Sequence, residues 1–190
     1  MSGDLVDAAL EYETRGLSVI PLRGDKTPRI PWKNHQREKA SPQQIRKWWD
    51  RWPDAMIGIV TGTISGLCVV DIDTEEGARK LNKYIPPDYI GPTALTPGGG
   101  KHLYFQCPPG LGNNARAIAG TDLRANGGYV VAPPSINAGG GCYTWVDGLS
   151  LFDVELPVLP GAYLDAIGTC EQCEQEGAHV SKMSARVSID

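Results

Sequence analysis

The stretch "GLCVVDIDTEEG", residues 66–77, predicts a buried strand that ends on two carboxylates. Its apolar run, Leu67 to Val70, is typical of a strand covered on both faces. Asp71 and Asp73 follow with Ile72 between them, and the alternation of side chains along a strand places both aspartates on one face. Carboxylates at the end of a buried strand are costly unless another group compensates them. The sequence must therefore supply a partner for Asp71 and Asp73.

Two interpretations fit this pair. Two neighbouring carboxylates repel each other, and a divalent cation relieves the repulsion. Oxygen ligands of this kind suit Mg²⁺ or Mn²⁺. In the alternative, Asp73 caps the helix that follows and Asp71 is a polar residue at a turn. The pair alone leaves both interpretations open.

The composition predicts one domain of ordinary size with a substantial core. The chain has 190 residues, of which 41% are apolar, and its 23 Gly and 15 Pro indicate many turns. The acidic N-terminus has no apolar segment typical of a secretory signal, and no run is long enough to cross a bilayer. Five scattered cysteines fit reduced thiols. We therefore expect a cytoplasmic protein without a membrane partner.

Periodicity and turn residues predict an α+β chain. Residues 161–168 and a segment from Glu75 to Tyr84, capped by Thr74, are predicted helical, as are residues 4–15 and a segment that begins at Pro42 after a Ser41 cap. The predicted strands are "LSVIPL", "AMIGIV", "LCVVDI", "TALT", "HLYFQC", "GYVVAP" and "CYTWV". We expect residues 1–168 to form the domain and residues 169–190 to be a flexible acidic and polar tail.

The positive charge of the chain is concentrated in residues 23–51. This segment holds nine of the 18 Lys and Arg residues against three acids, although the formal net charge of the chain is −4. A local basic surface attracts phosphates even on an acidic protein. The alternative is a solvated loop and helix face. Within the predicted helix, Ile45, Trp48, Trp49 and Trp52 share a stripe that favours a core role over base stacking, and Arg46 and Lys47 lie off it.

The second chemical motif is "TPGGGKHLYF", residues 96–105. Its glycines allow backbone amides to approach an oxyanion, or alternatively form a hairpin turn. Lys101 and His102 begin a strand, so they point to opposite faces and at most one of them faces the carboxylates. The motif is not a Walker A loop, because Leu95 and His102 stand where Gly and Ser or Thr are needed.

The third motif is "GTDLRANGGYVVAPPS", residues 120–135. Asp122 and Arg124 share a face if the chain is extended there. A third acid would complete a metal site, and an arginine beside it would bind a triphosphate. The alternative is a surface Asp–Arg pair at a turn.

These three motifs, in this order, resemble the primase-polymerase (prim-pol) branch of the archaeo-eukaryotic primase superfamily, found in bifunctional replication proteins of plasmids and phages. The resemblance rests on the DxD pair, the small-x-His motif Gly100-Lys101-His102, and the later Asp122. It extends to "IGIVTG", "GGYVVAPPS" and "CYTW" and covers roughly residues 5–165. It implies an RRM-like catalytic sheet packed with an α/β N-terminal half.

The activity implied by the resemblance is template-directed nucleotidyl transfer, as DNA primase and DNA polymerase. Asp71, Asp73 and Asp122 would be catalytic and would hold two Mg²⁺ or Mn²⁺ ions about 4 Å apart. His102 would contact the incoming nucleotide, and Lys101 and Arg124 would neutralise its phosphates. We assign Thr96, Gly99 and Gly100 to the same nucleotide site. The partners are a single-stranded DNA template, a primer, dNTPs or NTPs, and a fused or separate replicative helicase.

Other interpretations remain for the surface, the tail and the reaction. Template contacts are expected from four residues of the basic segment: Arg29, Lys33, Arg46 and Lys47. Cys170 and Cys173 form a CxxC with His179 downstream, but free thiols are favoured over zinc because a fourth ligand is lacking nearby. The same acids would also suit a two-metal nuclease or phosphodiesterase. A third hypothesis is a non-catalytic module that binds origin DNA through residues 23–51.

Overall fold

The computed structural model describes residues 3–168, and these residues form short helices and antiparallel strands. The α+β prediction is therefore confirmed. The helices are α1 (Gly3–Thr14), α2 (Pro42–Arg51), α3 (Glu75–Leu81) and α4 (Gly161–Ala166), and a 3₁₀ helix spans Trp32–Gln36. The strands are β1 (Ser18–Leu22), β2 (Met56–Val60), β3 (Leu67–Ile72), β4 (Thr93–Leu95), β5 (Lys101–Gln106), β6 (Asn114–Ile118), β7 (Thr121–Arg124), β8 (Tyr129–Ala132) and β9 (Thr144–Trp145).

The strands form two sheets whose pairings are all antiparallel. The first sheet has three strands in the order β1-β2-β8, and the second has six in the order β6-β7-β3-β5-β4-β9. The strand β3, which carries the opening motif, lies between β5 and β7 in the larger sheet. Its position places the end of "LCVVDI" beside two motifs that follow much later in the chain.

The alternation along β3 divides the core into two layers. Leu67 and Val69 pack with α1, α2 and the first sheet, whereas Cys68, Val70 and Ile72 pack with α3 and α4 on the other face. The face that bears Asp71 is therefore the face that meets the N-terminal half of the domain. The end of β3 lies at the edge of this packed layer.

Two helix starts agree with the predicted caps. The Ser41 hydroxyl accepts a hydrogen bond from the backbone N–H of Gln44, and the Thr74 hydroxyl accepts one from Gly77. Because Thr74 caps α3, Asp73 is not its N-cap, and that alternative for the Asp71–Asp73 pair is wrong. The predicted helix to Tyr84 is also too long, since α3 ends at Leu81 and the chain turns at Asn82.

Two strands were not predicted. These are β6 and β7, which are short, and β7 carries Asp122. Strands of four or five residues give little periodic signal, and here β7 pairs with β3 and β6 pairs with β7. Residues 169–190 lie outside the described residues, so the flexible tail and the Cys170–Cys173 alternatives stay predictions.

Candidate functional site

Three polar side chains lie in one row across the larger sheet. Asp71 on β3 is directly opposite His102 on β5 and directly opposite Asp122 on β7. Directly opposed residues of antiparallel strands project to the same face, with their Cβ atoms about 4.5–5.5 Å apart. Asp73 lies one residue beyond the end of β3 and is exposed. The register thus brings together motifs that are up to 51 positions apart in the sequence.

The surroundings of Asp71 disfavour the charged form of its carboxyl group. Its side chain is only 20% exposed, and its Oδ1 lies 3.4 Å from His102 Nε2. Burial is the main cause that raises its pKa to about 6, and repulsion from Asp73 and then from Asp122 adds to the effect, against the attraction of Arg124 and Lys26. The Asp71 carboxylate is therefore poorly compensated by the protein alone.

His102 is a neutral imidazole at physiological pH. The residue is 5% exposed. Burial, followed by the positive charges of Lys26 and Arg124, lowers its pKa to about 4. Its contact with Asp71 is therefore made by a neutral ring and is not an ion pair. The Nδ1 atom is buried and has no hydrogen-bond partner, so one ring nitrogen of His102 can still make a hydrogen bond.

Asp122 is already engaged by the protein. Arg124 Nη2 donates to Asp122 Oδ2 at 2.6 Å, and the backbone N–H of Arg116 donates to Asp122 Oδ1 at 2.8 Å. The prediction that Asp122 and Arg124 share a face is confirmed by their pairing with Asp71 and Val69. The Asp–Arg contact of the alternative interpretation is also present, so the two interpretations are not exclusive.

The fit of this acidic group to a divalent cation is mixed. The hard oxygen donors of Asp71, Asp73 and Asp122 have the chemistry that Mg²⁺ and Mn²⁺ prefer, and the pKa of Asp71 is raised by burial and then by repulsion from the other two carboxylates. Within residues 3–168, however, no group of three His, Cys, Asp or Glu side chains is arranged to hold an ion. Asp122 would have to exchange its bond with Arg124 for a cation. The donor chemistry and the pairing of Asp71 with Asp122 fit a metal, whereas the side chains of the described residues are not arranged to hold one.

Two cavities open beside the row. The first, here the Asp71 cavity, has a volume of about 280 Å³, and the second, the Asp73 cavity, about 310 Å³. The Asp71 cavity is lined by residues that include Asp71, His102, Arg124, Asn113 and Tyr129. Lys26 and Tyr143 line both cavities, so the two spaces adjoin each other at these side chains.

A larger cavity lies on the opposite face of the sheet. This Lys101 cavity, of about 690 Å³, is lined by Lys101, Ile72 and Leu103, which alternate away from His102, and also by Asp73. We regard the smaller cavities as the chemical site because Asp71 and His102 line the Asp71 cavity, and the Asp73 cavity adjoins it at Lys26 and Tyr143. The prediction that Lys101 and His102 face opposite sides is confirmed. The assignment of Lys101 to the phosphates beside Asp71 therefore loses its support.

The glycine-rich loop is a closed hairpin turn. The N–H groups of Gly99 and Gly100 donate to the carbonyl and the hydroxyl of Thr96, each within 3.1 Å. A Cβ on Gly100 would collide with the carbonyl oxygen of Ile72, so only glycine fits there. These two amides are used inside the turn, and the hairpin alternative describes them better than an oxyanion cradle. Thr96 lines the Asp73 cavity, Gly99 lines the Lys101 cavity, and Gly100 lines both.

The basic segment divides into free and engaged residues. Arg46, Lys47 and Lys33 are exposed. Arg29 instead contacts Asp54 at 3.1 Å and lies over the Trp52 ring at 5.6 Å, so its positive charge is partly committed to the fold. Trp48 and Trp49 are buried in the core, which confirms the stripe predicted for α2.

Sequence reasoning missed Lys26 and Tyr143 as residues of the site. Lys26 was counted only as one charge of the basic segment, and Tyr143 only as part of a strand. "RGDKTP", residues 23–28, signals a tight turn after β1. No sequence signal indicates that this turn meets a sheet formed about fifty residues later.

A model of the family described as "bifunctional DNA primase/polymerase, N-terminal", or Prim-Pol, matches residues 9–162. The chain belongs to the Prim-Pol family. The match spans the whole row and both cavities beside it. A comparison with curated protein sequences finds no match.

Membership of the Prim-Pol family implies a nucleotidyltransferase-type enzyme that acts on DNA and nucleotides. In this Prim-Pol domain, carboxylates, a histidine and two cations, Lys26 and Arg124, line the two smaller cavities. None of the helices in residues 3–168 combines the length and the hydropathy of a membrane-spanning segment.

Proposed function

We propose that this Prim-Pol domain synthesises primers and extends them by template-directed nucleotidyl transfer, with its reaction centred on Asp71. The observation that carries the proposal is the row in which Asp71 lies between His102 and Asp122 on neighbouring strands. Residues 1–168 would form the catalytic unit, with residues 169–190 as a separate tail. The central position of β3 in an antiparallel sheet supports the RRM-like description of its catalytic half.

Asp71, Asp73 and Asp122 would hold two Mg²⁺ or Mn²⁺ ions. When bound, such ions lower the pKa of an attacking hydroxyl and offset the charge of a transferring phosphoryl group. Burial and then repulsion raise the pKa of Asp71, and binding would remove the repulsion. It would also release Arg124 from Asp122. The freed guanidinium would then donate two parallel hydrogen bonds to the phosphate oxygens of the nucleotide.

His102 would contribute as a neutral hydrogen-bonding group. Because its pKa is lowered to about 4, the ring donates through one nitrogen and accepts through the other at neutral pH. A neutral ring orients a nucleotide through hydrogen bonds and does not compete with the metal ions for the negative charge of the nucleotide. The site would therefore combine the imidazole of His102, which orients the nucleotide, with the guanidinium of Arg124, which exchanges Asp122 for the phosphates.

The test is a synthesis assay with purified protein, single-stranded DNA, labelled dNTPs or NTPs and Mg²⁺ or Mn²⁺, followed by product sizing. Products that lengthen only when triphosphates and a template are present would support the proposal. Shortened DNA without triphosphates would identify a nuclease or phosphodiesterase instead. DNA affinity without either product, unchanged when the three acids are replaced, would identify a non-catalytic module. A helicase partner would be examined separately by co-purification.

Replacing His102 or Arg124 with Ala should weaken nucleotide binding but not DNA binding. Hydrogen bonds to charged groups contribute about 1.5–3 kcal/mol, so we expect the Kd for a dNTP with Mg²⁺ to rise at least tenfold in each variant. The Kd for single-stranded DNA should change less than twofold. Calorimetric titration measures the first quantity and fluorescence anisotropy the second.

Lys101→Ala is the matched control for this prediction. It removes a cation next to His102 in the sequence, but that cation lines the cavity on the opposite face. The nucleotide Kd of this variant should stay within twofold of wild type. Equal losses of nucleotide and DNA affinity in His102→Ala or Arg124→Ala would contradict the separate roles.

Charge reversal at Arg46 and Lys47 should weaken template binding and flatten its salt dependence. Both residues are exposed on α2, where they are free to track a phosphate backbone. Each phosphate neutralised on a single strand adds about 0.7 to the slope of log affinity against log salt, so two lost contacts should reduce that slope by about 1.4. The measurement is DNA affinity from low to moderate salt.

The loss should be similar for templates of different sequence, because phosphate contacts carry no base information. Nucleotide binding at the row should persist in the same double variant. An unchanged affinity together with an unchanged slope would mean that the template lies elsewhere and that this helix face is only solvated.

A further inference from the structure

Lys26 occupies a strained position in a tightly closed turn. Its φ of 72° lies in the left-handed region, which residues with a Cβ rarely adopt and which costs about 1–2 kcal/mol. The turn is held by hydrogen bonds from Arg23 N to Thr27 O at 2.7 Å and from Lys26 N to Arg23 O at 2.8 Å. Asp25 Oδ1 also accepts from the backbone N–H and the hydroxyl of Thr27. Together these hydrogen bonds hold the backbone of Lys26 in its left-handed conformation.

A contact from β8 fixes the place of this turn. The Tyr129 hydroxyl donates to the carbonyl oxygen of Lys26 at 3.2 Å, and the Tyr129 ring packs edge-on against Trp32 at 4.9 Å. Tyr129 itself lines the Asp71 cavity. The turn after β1 is therefore attached to the wall of that cavity, although no strand of the larger sheet contributes to the turn.

The side chain of Lys26 faces the site and makes no ion pair within the described part of the chain. It lines both the Asp71 cavity and the Asp73 cavity. No other Lys or Arg of the basic segment lines either of them. Its charge acts on Asp71 and is the largest charge effect on His102. Arg124, the other cation of the Asp71 cavity, is bonded to Asp122.

We propose that Lys26 binds the phosphates of the incoming nucleoside triphosphate, from the N-terminal half of the domain and opposite the row Asp71, His102 and Asp122. This inference rests on the proposed function and adds a residue to it. An ammonium group is a compact point charge that pairs with phosphate oxygens without a fixed geometry, which suits a lysine at the junction of two cavities. A left-handed lysine costs stability, and strain of this kind is typical of positions retained for function.

The Lys26→Gly variant tests this role without a folding penalty. Glycine adopts positive φ freely, so the variant loses the ammonium group but fits the turn at least as well as lysine does. We expect its melting temperature to equal or exceed that of wild type. The Kd for dATP with Mg²⁺ should rise at least tenfold, and Lys26→Arg should restore part of the affinity because it keeps the charge.

The phosphate series separates a phosphate contact from a general effect of charge. The loss in Lys26→Gly should be largest for dATP, smaller for dADP and smallest for dAMP. Arg23→Ala is the control, since Arg23 belongs to the same turn, bonds the carbonyl of Pro28 and lines neither cavity. Its dATP Kd should change less than twofold.

A structural role for Lys26 gives a different result. If its charge only offsets the carboxylates, Lys26→Gly would destabilise the protein, raise Mn²⁺ affinity and leave the dATP Kd within twofold of wild type, which would overturn the proposal. A loss equal for dATP and dAMP would overturn it as well. If wild type binds none of the nucleotides, the proposed function fails first. If wild type binds dATP and the glycine variant binds it equally, only the role of Lys26 fails.

Discussion

Replacing Asp71 with Asn is expected to abolish nucleotidyl transfer and to make the metal-free protein more stable. The asparagine keeps the shape of the side chain but removes the charge that two cations would share. Synthesis should fall at least a thousandfold, because an amide is a far weaker ligand than a carboxylate for Mg²⁺ or Mn²⁺. Product sizing with and without the substitution measures this loss directly.

The gain in stability follows from the pKa of Asp71. Burial raises the pKa from 3.8 to about 6 in the folded protein, a difference that corresponds to at most about 3 kcal/mol at neutral pH. Well below pH 4 the carboxyl is protonated in both the folded and the unfolded state, and the cost is zero. Between pH 4 and 6 the folded state holds the extra proton, so stability falls as pH rises. Above pH 6 the full cost applies.

Urea denaturation from pH 4 to pH 8 measures this dependence. The wild-type free energy of unfolding should fall through the window from pH 4 to 6, and the Asp71→Asn profile should lack that step. Addition of Mg²⁺ or Mn²⁺ at pH 7 should stabilise wild type more than the variant, since binding to the folded state alone raises stability. A variant that still synthesises DNA would contradict the central role of Asp71.

The Asp122→Asn variant separates the loss of synthesis from the gain in stability expected for Asp71→Asn. The charge of Asp122 is compensated by Arg124 and by the N–H of Arg116. Removing this charge therefore loses more from these favourable contacts than it gains from relief of repulsion. We expect this variant also to lose synthesis, but with unchanged or lower stability. The opposite stability responses of the two aspartates would distinguish the poorly compensated carboxylate from the well-compensated one.

The sequence predicted Asp71 and His102 because each lies in a strong local pattern. Alternation along "LCVVDI" and "HLYFQC" predicts that Asp71 and Ile72 face opposite sides, as do Lys101 and His102, and the structure agrees; the register between the two strands then places His102 beside Asp71. Asp122 was recognised from motif order, and its strand was missed because four polar and apolar residues carry too little periodic signal. The pairing of Asp122 with Asp71 is a long-range register that no local pattern contains.

The remaining features depend on contacts between distant segments. The glycines of residues 98–100 fit both an anion cradle and a hairpin, and only the bonds to Thr96 decide between them. Arg29 could not be separated from Arg46 by charge alone, because its partner Asp54 is 25 residues away. The turn that carries Lys26 is bonded to Tyr129 of β8, 103 residues later in the chain. Such placements arise from tertiary packing rather than from propensity.

Replacing Trp49 with Ala is expected to produce the largest loss of stability in the N-terminal half. Trp49 is 3% exposed in the core between α1, α2 and the sheets, and its indole N–H donates to the buried carbonyl of Ala55 at 3.1 Å. Truncating a buried Trp costs about 3–5 kcal/mol, and the carbonyl of Ala55 would lose its partner as well. Chemical denaturation followed by circular dichroism measures the change in unfolding free energy.

Two variants on the same helix make this prediction specific. Trp49→Phe keeps most of the apolar volume and loses the indole hydrogen bond, so its loss should be clearly smaller than that of Trp49→Ala. Lys47→Ala removes an exposed side chain and should change stability by no more than about 0.5 kcal/mol. DNA affinity, measured where each variant is fully folded, should fall for Lys47→Ala and not for Trp49→Phe. If Trp49→Ala instead folds with wild-type stability and loses DNA binding, the indole stacks on bases and the core role assigned to α2 is wrong.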